Sequence, residues 1–165
     1  LREVRYREGD FPEDYELLLR LLRGGRAFGV VLRRLHAWRD GPTRLSRTDP
    51  RYGHDRFTAC KATHLAATLL AASPHYVLWG YGATGRHLRR ALAALGKHPT
   101  HIVEIKRGRL GQRIHGAEVV PIDALAALRG VPVVVSVARA GPRAEIRAAL
   151  GAMGFEELRG YVCAA

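Results

Sequence analysis

Tyr76-Val77-Leu78-Trp79-Gly80-Tyr81-Gly82-Ala83-Thr84-Gly85-Arg86 decides the fold of this chain. Tyr76 to Trp79 is a short apolar run of the kind found in a buried parallel strand. It breaks at Gly80, Gly82 and Gly85, spaced G-x-G-x-x-G. A helical pattern follows, with Leu88, Ala91, Leu92 and Leu95 on one face and Arg86, Arg89 and Arg90 on the other. Strand, glycine turn and helix form the context in which this motif carries chemical meaning. Gly80 permits the tight turn, Gly82 lets a phosphate approach the backbone, and Gly85 lets helix and strand pack closely. The helix N-terminus then offers free N–H groups to an anion.

Working outward, the next apolar run is His101-Ile102-Val103-Glu104-Ile105. Its acid lies roughly twenty residues past the turn, where a ribose-binding carboxylate is expected. Gly80, Gly82, Gly85 and Glu104 are therefore the candidate nucleotide-binding residues, for a nucleotide or a nucleotide sugar. The plainer alternative is a strand–helix–strand unit whose glycines only make a turn and whose Glu104 faces solvent.

Beyond Glu104, residues 106–116 are too rich in Gly and Arg for a helix and read as a loop or small hairpin. Ala117 to Val120 is a short strand, and Pro121 to Leu128 a helix opened by proline. Val131 to Val137 is the most buried strand. Gly141-Pro142 opens a last helix to about Met153, and Tyr161-Val162-Cys163 is an edge strand. This alternation predicts an α/β module with a small parallel, Rossmann-like sheet and helices on both faces. With only about ninety residues, it is nearer a mononucleotide-binding half than a full dinucleotide fold.

Toward the N-terminus, Leu1 to Arg7 alternates apolar and charged residues, as a short strand or an ordered approach does. Pro12 suits the first turn of a helix whose start is loaded with Asp10, Glu13, Asp14 and Glu16, carboxylates that complement the helix dipole. Leu17, Leu18, Leu21 and Leu22 are expected as its buried stripe, and Gly24-Gly25 stops it. Ala27 to Leu35 is a strand candidate. A polar loop, Thr43 to Pro50, precedes a long helix over about Tyr52–Ala72. Ser73-Pro74 marks the boundary, giving two domains over 1–73 and 74–165. Cys60 and His64 stand one helical turn apart, but with no third ligand in the pattern no metal site is assigned.

The chain has 165 residues, 47% hydrophobic and 25% charged, which is ordinary globular composition. It has no apolar run of membrane-spanning length and no visible signal peptide. Its two cysteines, Cys60 and Cys163, form no disulfide framework and suit a reducing cytoplasm. The net charge of +12 comes mostly from arginines spread along the chain, with Lys61, Lys97 and Lys106 the only lysines. There is no basic run, aromatic platform or zinc spacing, so nucleic acid is not the expected partner. A basic surface favours anionic ligands such as sugar nucleotides, or peripheral contact with an anionic membrane.

The leading part resembles the C-terminal half of the catalytic domain of family 2 glycosyltransferases, inverting enzymes of GT-A fold. The resemblance covers roughly residues 1–70. It rests on Phe11-Pro12-Glu13-Asp14-Tyr15-Glu16-Leu17-Leu18-Leu19-Arg20, on Leu35-His36-Ala37-Trp38-Arg39 and on Arg44-Leu45-Ser46. It implies a catalytic base at Asp14 with Glu13 beside it, and donor-diphosphate contacts from His36, Arg39, Arg44 and Ser46. It also implies an α+β fragment of a GT-A domain. Residues 75–165 resemble the small Rossmann-like module attached to some bacterial glycosyltransferases, and the N-terminal nucleotide-sugar-binding module of sugar acyltransferases. They share the glycine turn, the acid after the second strand, and Gly111-Gln112-Arg113-Ile114-His115-Gly116-Ala117-Glu118-Val119-Val120-Pro121. One departure is Lys106-Arg107-Gly108-Arg109, which replaces the usual acid-rich run.

No Asp-x-Asp occurs in the sequence. The chain, which opens at Leu1, therefore reads as the latter part of a longer bacterial enzyme. The resemblance implies that the complete enzyme transfers sugar from a nucleotide sugar to a hydroxyl of a sugar or polysaccharide acceptor. A divalent Mg or Mn ion would be held by the missing N-terminal half, and this chain alone would be inactive. The rivals are a NAD- or nucleotide-binding module of sensor or oxidoreductase type, without a Tyr-x-x-x-Lys pair, and a ligand-free structural module.

Overall fold

The computed structural model describes residues 4–37, 40–105 and 107–165. The chain forms two compact units, residues 1–64 and residues 65–165.

In the first unit, α1 (Glu13–Arg23) starts at Pro12 and carries Glu13, Asp14 and Glu16 in its first turn. It closes with Gly25 at φ 75°, where Arg26 N–H donates to Leu21 O and Gly25 N–H to Leu22 O. This pairing satisfies carbonyls that the helix end would otherwise leave open, and glycine enters the left-handed region at least cost. A single-turn helix, α2 (Leu45–Thr48), and a 3-10 turn (Pro50–Tyr52) lead into α3 (His54–Ala67), which runs across the division between the units. Of the expected buried stripe, Leu18 and Leu22 are 46% and 50% exposed, and Glu16, which stands in the first turn as expected, takes the inward place. It is buried, and its carboxylate accepts from Arg20 Nε at 3.0 Å, with Arg7 Nη1 at 3.8 Å and His64 Nε2 at 3.9 Å.

The expected strand over Ala27–Leu35 does not form. These residues are irregular and solvent-facing, with Val30 86%, Val31 66% and Leu32 97% exposed. No strand occurs among the described residues of this unit. An apolar run becomes a strand only when a neighbour takes up its backbone hydrogen bonds.

The second unit meets the α/β expectation: it is a Rossmann-like domain around a six-stranded, mostly parallel sheet. The strands are β1 (His75–Trp79), β2 (His98–Val103), β3 (Arg113–Ile114), β4 (Ala117–Val120), β5 (Val133–Val135) and β6 (Tyr161–Cys163), in the order β3-β4-β2-β1-β5-β6. Only β3, paired to β4, is antiparallel. The loop between them is the two-residue turn His115-Gly116, with φ 50° and 84°. Both values are positive, as the tight hairpin turn that matches strand twist requires.

Between β1 and β2 lies α4 (Ala83–Ala93), and between β5 and β6 lies α5 (Ala140–Ala152). The segment after Pro121 is a 3-10 helix, Ile122–Leu128. Side chains alternate across each strand. Val77, Trp79, Val103, Val133 and Val135 on one face pack with Leu125, Ile146, Leu150 and Phe155. The helix α4 lies against β1 and β2, burying Leu88 and Leu92.

The connection after β1 goes to β2 on one side, whereas β5 flanks β1 on the other. That reversal opens a crevice at the carboxyl ends of β1 and β5, the general place for ligands in such sheets.

Candidate functional site

The turn after β1 is held by more than its glycines. Gly80 has φ 93°, a conformation that side chains resist, and its N–H donates to Val103 O at 3.1 Å. From the β5 side the Ser136 hydroxyl donates to Gly80 O at 2.6 Å, with Trp79 O also within reach at 3.2 Å. Ser136 N–H donates to Trp79 O at 2.9 Å. Ser136 is buried, so these bonds are shielded from water.

Gly85 plays the packing role that the spacing predicts. A Cβ there would lie 2.3 Å from Gly80 O and 2.7 Å from Ser136 Oγ. Gly82 is different. It caps α4, and a Cβ there would meet nothing within 4 Å. The room beside it is open to an approaching group.

A cleft of about 550 Å³ opens at this point, floored by Trp79, Gly80 and Gly82, with Ile122, Val137 and Ile146 as its apolar wall. Arg86, Arg109, Glu104 and Glu145 supply charge within it. Volume and lining suit a small organic ligand with a few polar anchors. The first turn of α4 contains no acid, and Gly82 brings no capping side chain. Its leading N–H groups lack intrahelical acceptors, as at every helix start. By contrast, the first turn of α1 carries three carboxylates. The positive end of α4 is thus left for an external anion.

Glu104 lies just past β2, and its backbone N–H donates to Val120 O at 3.2 Å. Its Oε1 accepts Ile105 N–H at 3.0 Å, and Arg109 Nη1 stands 3.6 Å from Oε2. Arg109 ends a 3-10 turn, Arg107–Arg109, that is anchored on both sides. Gln112 Nε2 donates to Gly108 O at 2.9 Å, Gly111 N–H to Val119 O at 2.9 Å and Val119 N–H to Gln112 O at 2.8 Å. A second hollow of about 430 Å³, with Leu110, Pro121 and Met153 in its lining, meets the cleft at Glu104, Ile105 and Ile122.

Gly80, Gly82 and Glu104 thus share one cleft, with Gly85 behind its floor. Sequence reading missed Ser136. Its signal was a single hydroxyl at the end of the apolar run that ends at Val137. It also treated Arg109 only as a departure from a pattern, not as the partner of Glu104.

In the first unit, Glu13 Oε1 accepts the Tyr52 hydroxyl at 2.8 Å. Its own backbone N–H first, and the Tyr52 hydroxyl second, hold its carboxyl below the usual range. A carboxylate stabilised in this way is a weak proton acceptor. The Tyr52 hydroxyl is pushed up to about 12 by burial and by Glu13. Asp14 is exposed, and its Oδ1 accepts Tyr15 N–H at 2.7 Å. Arg44 Nη1 lies 3.8 Å from Asp40, Ser46 stands in α2, and His36 lies in the exposed stretch after residue 27. Arg39 falls outside the described residues. Cys60 is buried, and burial together with Glu16 pushes its thiol up to about 11, so it stays protonated.

No family model, curated protein or solved structure matches this chain.

Proposed function

We propose that residues 65–165 bind a nucleotide or nucleotide sugar across the carboxyl ends of β1, β2 and β4. The observation that carries this reading is the cleft at the sheet's switch point, bordered by a glycine turn and by a helix start free of acids. A ligand phosphate would sit at Gly82 and the start of α4. Its sugar would pass Glu104, and its base would enter the hollow at Leu110 and Met153. The test is calorimetry of the chain against a panel of nucleotides and sugar nucleotides. Wild type is expected to bind at least one of them. Gly82→Val should stay folded, because the space there is empty of protein, and should lose the ligand because the new side chain fills the phosphate's place. A chain that binds nothing in the panel would leave the glycines with packing work alone.

A second reading concerns the first unit, and the contrast between Glu13 and Asp14 favours it. We propose that, within an inverting glycosyltransferase, Asp14 takes the proton of an acceptor hydroxyl. Glu13 is already engaged by Tyr52, whereas Asp14 is open to solvent. The sequence lacks the Asp-x-Asp that would hold the divalent ion expected for such an enzyme, and Glu13 is held by a phenol. In an enzyme containing this chain, Asp14→Asn should lower turnover by about two to four orders of magnitude with donor binding little changed. Sugar transfer at a near-wild-type rate would remove Asp14 from the mechanism.

A further inference from the structure

The pair Glu104–Arg109 stands where the ligand's ribose would pass. In the simplest arrangement an acid at this point accepts hydrogen bonds from the ribose hydroxyls. Here that carboxylate is already occupied on both oxygens, by Ile105 N–H and by the Arg109 guanidinium. Both residues line the cleft, but the Glu104 side chain is 12% exposed and that of Arg109 40%, so the cation is the more accessible of the two. A guanidinium has five N–H donors in a planar fork. Contact with one carboxylate oxygen at 3.6 Å leaves most of them for another anion. The 3-10 turn that carries Arg109 is tied to β4, so the fork is presented from a fixed base instead of a loose loop. With both Glu104 oxygens engaged, a second anion on the ligand would meet a cation with donors to spare, while the other acid of the cleft lining, Glu145, stands on α5.

We infer that Arg109 selects nucleotides that carry a phosphate on the ribose, at the 2′ or 3′ oxygen, in addition to the phosphate at the glycine turn. The inference rests on the nucleotide reading of the cleft and adds the substituent that the cleft prefers. Arg109 acts here as a specificity-determining residue.

The test is calorimetry of the whole chain with 5′-AMP, 2′,5′-ADP and 3′,5′-ADP, and with the matching uridine set. At least one bisphosphate is expected to bind tenfold or more tightly than its monophosphate, and comparison of the two isomers tells which oxygen is read. Arg109→Gln should bring that ratio to within about twofold of one. Arg109→Lys, which keeps the charge but loses the fork, should leave an intermediate ratio. Arg113→Gln, on the exposed β3, is the control and should leave the ratio as in wild type. Thermal melts establish that each variant is folded. If the monophosphates bind as well as the bisphosphates, the inference is overturned and the nucleotide reading stands. A bisphosphate preference that survives in Arg109→Gln would also overturn the role of Arg109. If no nucleotide of either kind binds, the inference is overturned, and the wider panel with sugar nucleotides decides the nucleotide reading separately.

Discussion

Val30-Val31-Leu32 and Val133-Val134-Val135 are nearly the same sequence in two different fates. The first is irregular and exposed; the second is β5, with all three side chains fully buried. Intrinsic preference hardly separates them, because both are apolar runs with adjacent valines of high strand propensity. What differs is the company. Each residue of β5 is paired on both sides, to Val77, Leu78 and Trp79 of β1 and to Tyr161, Val162 and Cys163 of β6. The stretch after residue 27 has no strand beside it among the described residues. The two units are consequently held by different forces. Residues 65–165 rest on an apolar sheet, whereas residues 1–64 centre on a buried carboxylate with arginines around it.

The sharpest way to break this comparison is to put the same charge into both runs. Val134→Asp buries a carboxylate in the middle of the sheet and should destabilise residues 65–165 by about 4 kcal/mol or more, enough to unfold them. Val31→Asp adds a charge to a side chain already in water and should change stability by less than about 0.5 kcal/mol. Urea denaturation followed by circular dichroism gives both values. A similar loss in the two variants would mean that the leading run is in fact paired.

A smaller effect is expected at the glycine turn. Gly85→Ala forces a Cβ against Gly80 O and Ser136 Oγ, both held by backbone or burial, and should cost about 2–3 kcal/mol. Gly82→Ala meets open space and should cost less than about 1 kcal/mol. Thermal melts of the pair measure how tightly the turn is fastened to β5. Equal costs would show that the packing contact at Gly85 relaxes freely.

The smallest effect distinguishes the forces holding the two units. His64 faces Glu16 together with Arg20, Arg7 and Arg23, and burial is the largest influence, followed by Glu16 in the opposite sense and then by the arginines. The net result holds its pKa below the ordinary imidazole value. In the window below about pH 6.5 the unfolded chain therefore binds the proton first. Stability of residues 1–64 should be full above that value and fall as the pH drops toward the folded pKa. Replacing His64 with Gln should flatten this slope, while the melt of residues 65–165 should keep its own pH profile. An unchanged slope in the variant would assign the acid sensitivity to other groups.

Most of the second unit was legible because its signals agree across scales. Apolar runs of strand length alternate with helical patterns, and glycines fall at the turns, so the parallel sheet follows from residues 74–165 alone. The 3-10 form of Ile122–Leu128 and the early end of β2 at Val103 were not legible, since they depend on pairing and on local crowding. In the candidate site, Gly80, Gly82, Gly85 and Glu104 could be named from spacing. Ser136 could not, because its use comes from β5 lying beside β1, a neighbour relation that no local pattern encodes. In the first unit two features were not legible for one physical reason. Glu16 stands in the first turn as expected, but its burial, like the failure of Val30–Leu32 to form a strand, turns on partners outside the local pattern, present for Glu16 in Arg20, Arg7 and His64 and lacking for the strand among the described residues.

The hydroxyl of Ser136 makes the glycine turn and β5 one mechanical piece. Gly80 is tied through its N–H to the end of β2 and through its carbonyl to the end of β5, so the three strand ends that border the cleft share a single residue. α5, which follows β5 after a short connection, itself lines the cleft through Glu145, Ile146 and Ala149. The glycine turn and that wall of the cleft are therefore both fastened to the same strand end.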